Sequence, residues 1–466
     1  MKNPHYTLFS LLSILIAPAL HAQSIVGDWG GKLSFGGQEL RIVLHIAATD
    51  STYTVSLDSP DQGSFLVPAD SAAYTAPSLN VRWNQLNATY QASLTGDTLR
   101  GTFIQGLLPL RLDLTRGDYA LHRPQTPQPP FPYRSEEVRF TNTRDSVTLA
   151  GTLTLPDGPG PFPAVALVTG SGAQNRDEEI YGHKLFAVIA DHLTRHGIAV
   201  LRYDDRGVGQ SSGNFSAGTS EDFTRDALAA VDFLTTRTEI ARKGIGLIGH
   251  SEGGMIVFMA AAQNPAIRFV VSLAGAAARG DSLLLQQNGD ILRAQGAPDS
   301  SAHAYVDALR EIFQLQRGYP VEYLRAQQDS LMRVLLAGNR EQLLPKPVQQ
   351  NLQIILTTPL STWMRFYMQH DPKPYIQATR CPVLALNGTL DRQVDAETNL
   401  GLIQEYTAQG GNRQVTVKTC EGLNHLFQHA TTGAPNEYPY IAETFSPAAL
   451  ELITQWILQQ PPLTEP

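Results

Sequence analysis

Six residues near the middle of the chain have the spacing of a serine nucleophile. Residues 249–254 read Gly-His-Ser-Glu-Gly-Gly, so Ser251 has a glycine two positions before it and another two positions after it. A serine on a sharp strand-to-helix turn presents its hydroxyl to substrate, and such glycines let neighbouring backbone pass close by. The Gly-x-Ser-x-Gly pattern is common by chance, but here it follows an apolar strand-like run and precedes an alanine-rich run of helical length. This context predicts a nucleophile elbow at Ser251.

Two later residues have the types and the order that a serine nucleophile requires. A base must take the serine proton, and an acid must orient that base. In folds that carry this elbow the acid follows the serine and the histidine follows the acid, as do Asp391 and His425. Each comes directly after an apolar strand-like run, so both are expected at the same sheet edge as Ser251. The alternatives are Asp395, where a helix is expected to begin, and His429, farther from its strand.

A tetrahedral intermediate formed at Ser251 needs two backbone N–H donors. We expect one donor at Glu252, directly after the nucleophile, and the other in the Thr-Gly-Ser-Gly turn at 169–172. Within that turn Ser171 is the first choice and Gly172 the second. Only the backbone of Glu252 is assigned a role, because an acidic side chain in the first turn of a helix has a structural reason to be there.

The composition and the first residues of the chain exclude some classes of function and indicate where the protein is located. The 466 residues are enough for two domains, and a formal net charge of −8 disfavours a nucleic-acid partner. Residues 1–22 combine an early lysine with a short apolar stretch that a proline interrupts, which predicts a secretory signal peptide cleaved after Ala22. We therefore expect an exported protein, periplasmic or secreted, with no membrane span. The sequence shows no metal-ligand spacing and no phosphate loop, so neither a metal nor a cofactor is expected.

The rest of the chain indicates two folded domains and an insertion. Residues 24–118 carry short period-two runs, which predict a small all-β barrel or sandwich with Trp29 and Trp83 in its core. Residues 119–134 are a proline-rich linker. In residues 135–279 and 375–462 strands alternate with helices, one of them expected at 183–196, which predicts a mostly parallel sheet covered on both faces. Residues 280–374 have helical periodicity and are expected to form a cap after the sixth strand.

The chain has two cysteines, Cys381 and Cys420. The first precedes one predicted strand and the second follows the next. If those strands are parallel, the thiols lie at opposite strand ends, too far apart for a disulfide. We therefore predict that both thiols are free.

These motifs resemble the α/β-hydrolase superfamily. The matching segments are 169–172 with Arg-Asp-Glu at 176–178, Tyr-Asp-Asp-Arg-Gly-Val-Gly at 203–209, the elbow at 249–254, and 382–391. More narrowly, the set is similar to exported bacterial two-domain carboxylesterases, in which a serine aminopeptidase-like hydrolase domain follows a small β domain. The similarity covers residues from about 135 to the end of the chain and is looser over 25–118. It implies a triad of Ser251, Asp391 and His425 acting on small-molecule esters with short to medium acyl chains.

Two other functions stay open. A peptidase of the same fold would need carboxylates in the cap to hold a substrate amino terminus, and Glu311, Glu322 and Asp329 are available there on polar helix faces. A secreted glycan- or lipid-binding protein with an accessory hydrolase domain would use residues 24–118, which carry no ligand-binding signature.

Three groups of residues have two interpretations each. Residues 204–206, Asp-Asp-Arg, are interpreted as part of an internal ion-pair network rather than as a substrate clamp. Residues 176–178 border the expected pocket in either a positioning or a structural role. A group of apolar cap residues either lines an acyl pocket or packs against the sheet: Trp363, Met364, Phe366 and Met368.

Overall fold

The computed structural model describes residues 24–35, 38–49, 52–62, 64–117, 119 and 123–460. The predicted signal peptide, residues 1–22, lies outside the described residues. The chain divides into two compact units, Met1–Ala120 and Leu121–Pro466. Among the helices of the described part, none combines the length and the apolar character that a membrane crossing requires.

The first unit is an antiparallel sheet that curls around its own core. Its strands are β1 (Gly27–Phe35), β2 (Gln38–Ala48), β3 (Tyr53–Ser59), β4 (Ser64–Pro68), β5 (Ser71–Thr75), β6 (Ser78–Trp83), β7 (Ala88–Thr95), β8 (Thr98–Gln105) and β9 (Leu108–Gly117). They pair in the order β4-β3-β2-β1-β9-β8-β7-β6-β5. The edge strand β5 also contacts β3, so the sheet approaches a closed up-and-down barrel. Trp29 and Trp83 are fully buried in its core.

The second unit is built on a larger, mostly parallel sheet. The strands of this unit are β10 (Arg134–Asn142), β11 (Val147–Leu155), β12 (Phe162–Val168), β13 (Glu179–Ile180), β14 (His183–Lys184), β15 (Ala199–Tyr203), β16 (Ile240–His250), β17 (Phe269–Leu273), β18 (Val383–Gly388) and β19 (Val415–Cys420). The main sheet has the order β10-β11-β15-β12-β16-β17-β18-β19. Its strands from β15 to β19 run parallel, whereas β10 and β11 are antiparallel to their neighbours. This is an α/β-hydrolase sheet.

Helices cover both faces of this sheet and form the insertion. They are α1 (Leu185–Arg195), α2 (Ser220–Thr235), α3 (Glu252–Ala261), α4 (Gly280–Ala294), α5 (Asp299–Gly318), α6 (Val321–Ala326), α7 (Gln328–Leu335), α8 (Arg340–Leu343), α9 (Lys346–Thr357), α10 (Thr362–Tyr367), α11 (Lys373–Ala378), α12 (Ala396–Gln409) and α13 (Pro447–Leu458). One face packs against α2, α3 and α12, and the other against α1 and α13. Burial on both faces explains why β16 and β17 have continuous apolar runs.

The cap lies between β17 and β18 and has a core of its own. Helices α5 and α9 supply much of it, including Ile312 and Leu352, both fully buried. The cap ends in helices that join the sheet core instead, since Tyr367 and Ile376 pack there. The expected cap boundary at residue 374 falls inside α11, which packs against α3 and α12.

Two details differ from the sequence expectations, and one agrees with them. The helix expected at 183–196 begins at Leu185, because His183 pairs with Ile180 in the small β13–β14 ladder. The sheet also has a first strand, β10, that was not identified from the sequence, although more buried residues alternate with exposed ones in it from Glu136 to Asn142. Cys381 and Cys420 are both free thiols.

Candidate active site

Ser251 stands at the junction of β16 and α3. Its φ is +56° and its ψ is −116°, a strained combination for a residue with a side chain. A Cβ atom on Gly249 would lie 2.0 Å from the carbonyl oxygen of Gly253, and one on Gly253 would lie 2.1 Å from that of Val168. Both positions therefore require glycine. The elbow keeps Ser251 partly exposed although the strand before it is buried.

Asp391 and His425 form a buried pair at the carboxyl ends of β18 and β19. The Nδ1 atom of His425 lies 2.8 Å from Oδ2 of Asp391. The other carboxylate oxygen accepts N–H bonds from Gln393 at 2.8 Å and Val394 at 2.9 Å. Because a carboxylate only accepts, Nδ1 must donate, and Nε2 of His425 is left as the basic nitrogen. Ser251 and His425 line the same cleft.

The two alternatives have other partners. The side chain of Asp395 accepts the N–H of Thr398 at 2.8 Å and caps α12. The ring of His429 is exposed and lies 2.8 Å from a carboxylate oxygen of Glu443. Of the candidate acids and bases, Asp391 and His425 are therefore the two that the fold joins by a hydrogen bond.

The predicted oxyanion donors lie on two elements beside Ser251. Glu252 is the first residue of α3, and Ser171 belongs to the turn that follows β12 and lines the cleft. The N–H of Gly170 already donates to Glu178 at 2.7 Å. This bond engages the N–H of Gly170 elsewhere, so Ser171 stays the first choice of donor in this turn and Gly172 the second.

A buried aspartate, Asp205, holds the ends of this turn. It accepts the hydroxyl of Thr169 at 2.7 Å and the N–H of Gln174 at 2.9 Å. Burial raises the pKa of Asp205 to about 8, and the charges of Glu178 and Glu252 act in the same direction. The carboxyl groups of Asp205 and Glu178 thus both hold this turn. The sequence had suggested an ion-pair network for Asp205 and had left the role of Glu178 open.

His250, the residue before the nucleophile, has both ring nitrogens engaged. Its Nδ1 lies 3.0 Å from Oε1 of Glu178, and its Nε2 lies 2.9 Å from the backbone carbonyl of His425. Both side chains are almost fully buried. Sequence reasoning missed this pair, because His250 occupies a variable position of the elbow motif and Glu178 lies on a distant loop.

The side chain of Glu252 connects the nucleophile helix to the cap. One carboxylate oxygen accepts the hydroxyl of Ser220 at 2.6 Å and the indole N–H of Trp363 at 2.8 Å. Burial raises the pKa of Glu252. The Trp363 ring also stacks on Tyr367, with ring centroids 4.8 Å apart. The sequence analysis explained the Glu252 side chain only as an acid in the first turn of a helix. It therefore missed the contact that this side chain makes between α2, α3 and α10.

Most of the charged residues at 176–177 and 204–206 form ion pairs, with one another or with neighbouring segments. Arg176 pairs with Asp204 at 2.8 Å and with Glu137 at 2.6 Å. Arg206 pairs with Asp226 at 2.7 Å. Four further pairs belong to these groups: Asp177–Arg202, Asp177–Lys184, Arg206–Asp145 and Arg206–Asp222. Only Asp205, described above, departs from the interpretation of 204–206 as an ion-pair network.

The cleft over Ser251 is small and mixed in character, with a volume of about 160 Å³. Its lining consists of Gly170, Ser171, Gln174, Glu178, Ile180, Tyr181, His250, Ser251, Gln393, His425, Leu426, Pro435 and Tyr438. The apolar cap residues have other contacts: Met364 and Met368 pack in the cap core, and Phe366 stacks on His370. The cleft wall comes instead from the loops around β13 and after β19.

Within the described part of the chain, one group of side chains has the spacing of a metal site. One ligand atom each from His192, His196 and Glu451 lies within 4.8 Å of the others. These residues lie on α1 and at its end and on α13, outside the cleft lining. Sequence reasoning overlooked the group because its acidic member lies on a different helix.

A comparison with protein-family models finds one match over most of the second unit. The model described as X-Pro dipeptidyl-peptidase (S15 family) matches residues 145–430. This range contains the elbow, the turn after β12 and both members of the Asp391–His425 pair.

Curated relatives and solved structures include several hydrolases. Esterase EstD of Thermotoga maritima is 41% identical over 108 residues, 23% of this chain and 26% of EstD. The 2,6-dihydropseudooxynicotine hydrolase of Paenarthrobacter nicotinovorans is 30% identical over 132 residues, 28% of this chain and 33% of that enzyme. The match to EstD thus spans about a quarter of that relative's length. A solved esterase of Pyrococcus furiosus has a TM-score of 0.43 at 15% identity and covers 74% of this chain and 99% of its own.

Proposed function

The chain belongs to the X-Pro dipeptidyl-peptidase (S15) family, and we propose that its activity is the hydrolysis of carboxylic esters with short to medium acyl chains. It is a serine hydrolase of the α/β-hydrolase superfamily. The observation that carries the proposal is the buried bond of 2.8 Å between His425 and Asp391, with His425 and Ser251 lining one cleft.

The chemistry follows from the roles of these groups. Ser251 attacks the ester carbonyl while Nε2 of His425 takes its proton, and Asp391 stabilises the imidazolium that forms. The N–H groups of Glu252 and Ser171 bind the oxyanion of the tetrahedral intermediate. His425 then protonates the leaving alcohol, and a water molecule repeats the sequence to release the acid from Ser251.

The size of the cleft supports a small acyl group. Clefts that bind drug-sized ligands measure roughly 300–1,000 Å³, whereas this one measures about 160 Å³. A series of p-nitrophenyl esters from acetate to dodecanoate tests this point. We expect kcat/KM to be highest among the short and medium chains and to fall for the longest, with Ser251→Ala as the blank. Equal rates along the series would contradict the proposed acyl preference.

The family description favours one second candidate, an amide hydrolase that cleaves peptides at an amino terminus. The carboxylates considered for that role have other environments. Glu311 pairs with Arg340 at 2.9 Å, while Glu322 and Asp329 are exposed. Glycyl-prolyl and alanyl p-nitroanilides discriminate the two candidates. Faster turnover of either amide than of p-nitrophenyl acetate would favour the peptidase.

We further propose that the protein is exported, on the basis of the apolar segment within residues 1–22. Expression of the full chain followed by cell fractionation and amino-terminal sequencing tests this proposal. We expect a mature chain that begins at Gln23. An intact amino terminus in the cytoplasmic fraction would contradict it.

A further inference from the structure

A buried pair of hydrogen-bonded side chains, Glu178 and His250, lies beside the candidate catalytic residues in the wall of the cleft. Oε1 of Glu178 accepts from Nδ1 of His250 at 3.0 Å and from the N–H of Gly170 at 2.7 Å. Only 1% of Glu178 and 2% of His250 is exposed to solvent. The pair therefore lies in a low-dielectric environment, where its geometry is held more strongly than at the surface.

The contacts of His250 determine its protonation. Nδ1 faces a carboxylate and Nε2 faces the carbonyl of His425, and both of these groups only accept hydrogen bonds. With Glu178 ionised, each ring nitrogen carries a proton, which makes the ring an imidazolium. Burial lowers the pKa of His250, but the charge of Glu178 and the hydrogen bonds outweigh burial and raise it.

The pair touches the two loops that matter most for the proposed reaction. Through Gly170, Glu178 holds the turn that contains Ser171, the proposed second oxyanion donor. Through its bond to the backbone of His425, His250 holds the loop that carries the base. His250 is also the residue directly before Ser251 in the chain. The nucleophile, the oxyanion turn and the loop of the base are therefore all connected to this one pair.

The backbone at Glu178 has an unfavourable conformation. Its φ is +46°, in the left-handed region that residues with side chains seldom adopt. The N–H of this residue donates to the carbonyl of Asn175 at 2.9 Å, which closes the turn that aims the carboxylate inward. Such strain persists where the surrounding contacts determine it, and it concentrates at functional sites.

We propose that Glu178 and His250 are positioning residues for ester hydrolysis: the pair fixes the oxyanion turn and the backbone of His425 in register with Ser251. This inference rests on the proposed function. Glu178 and His250 line the cleft, but their hydrogen bonds go to each other, to Gly170 and to the backbone of His425, and not to the Ser251 hydroxyl or the His425 ring. They act by holding the groups that take part in the reaction, and this pre-organisation is worth most in the transition state.

Substitutions at Glu178 separate the charge from the packing. Glu178→Gln keeps an oxygen for the N–H of Gly170 but removes the charge that keeps His250 doubly protonated. Glu178→Leu removes both. We expect kcat to fall about 10-fold in the first variant and about 100-fold in the second, which is the lower end of the roughly 10²–10³-fold cost of losing one oxyanion donor outright. KM should change less than 3-fold, because the other residues that line the cleft remain.

The readout is kcat per active site, with sites counted by titration with a fluorophosphonate. Asp226→Asn is the matched control, because Asp226 is a buried carboxylate paired with Arg206 outside the cleft. We expect this control to lower the Tm and leave kcat per titrated site unchanged. In a double-mutant cycle, Glu178→Leu with His250→Leu should cost little more than the worse single variant, because the two residues act as one unit.

Two outcomes would overturn the positioning role. One is an unchanged kcat per titrated site in Glu178→Leu, and the other is an equal loss in Asp226→Asn. Activity that survives in Ser251→Ala would instead refute the proposed function itself. The two failures are therefore distinguishable in the same assay.

Discussion

Replacing Gly253 by alanine is the sharpest test of the elbow geometry. A Cβ atom at this position would lie 2.1 Å from the carbonyl oxygen of Val168 and 2.6 Å from that of Thr169. Ordinary contact begins at 3.4 Å, so the first approach is too short by about 1.3 Å. Both obstacles are backbone atoms and cannot rotate away. Either α3 or the turn after β12 must move.

That movement would separate the two sides of the proposed oxyanion hole. The turn after β12 presents Ser171, and α3 begins with Glu252. A misplacement of about 1 Å can cost roughly 10²-fold in rate, and overpacking costs about 1–3 kcal/mol of stability. We expect Gly253→Ala to lose about 100-fold in kcat on p-nitrophenyl acetate while KM changes little. Thermal unfolding of the same preparation should show a lower Tm.

Gly401→Ala supplies the control. Gly401 lies within α12, where an added Cβ would meet no atom within 4 Å. Alanine there should stabilise the helix by roughly 0.5–1 kcal/mol and leave kcat unchanged. The reasoning fails if Gly253→Ala keeps the parental kcat, because the close approach of backbone to α3 would then have no part in forming the site.

Three further predictions concern the acid, the cap and the oxyanion turn. Asp391→Asn should lower kcat by about 10⁴-fold, whereas Asp395→Ala should cost only about 1 kcal/mol of stability as a lost helix cap; comparable losses of activity would contradict the assignment. Trp363→Phe removes one of the donors to the buried Glu252 carboxylate, and should lower the free energy of unfolding by about 1–3 kcal/mol in denaturant titrations. Asp205 has a folded-state pKa raised to about 8, so between roughly pH 4 and 8 the folded protein holds a proton that the unfolded chain has lost, and stability falls as the pH rises through this window. In Asp205→Asn, the part of the fall in stability that Asp205 causes should be absent when the Tm is measured from pH 4 to 9. A Tm that depends on pH in the same way as in the parent protein would contradict the raised pKa.

Local pattern was enough to predict the sheet and the order of the candidate site residues. Apolar runs at β12, β16, β17 and β18 are continuous because these strands are buried on both faces. Parallel strands present their carboxyl ends at one edge, so Ser251, Asp391 and His425 were expected to lie close together before any coordinate was known. Both arguments use only the local spacing of apolar residues along the chain and the fixed handedness of strand–helix–strand connections.

Contacts between distant segments could not be predicted in this way. Glu252 binds the indole of Trp363, which lies on a cap helix, and Glu178 binds His250 across the sheet edge. No periodicity encodes these pairs, because each depends on where a loop or an insertion packs after the sheet has formed. Apolar patterning likewise left open whether Met368 lines an acyl pocket or packs against the sheet, and the structure buries it in the cap core instead.

The sequence by itself determined the nucleophile elbow, because glycines at 249 and 253 and the flanking strand and helix are local requirements of one turn. It also determined the fold class. Only the tertiary structure decided which acid meets His425, which turn faces Ser251, and which buried charges hold both in place. Hydrogen bonds between buried groups require donor–acceptor distances that are correct to within a few tenths of an ångström. The groups reach those distances only once the sheet, its loops and the cap are packed together.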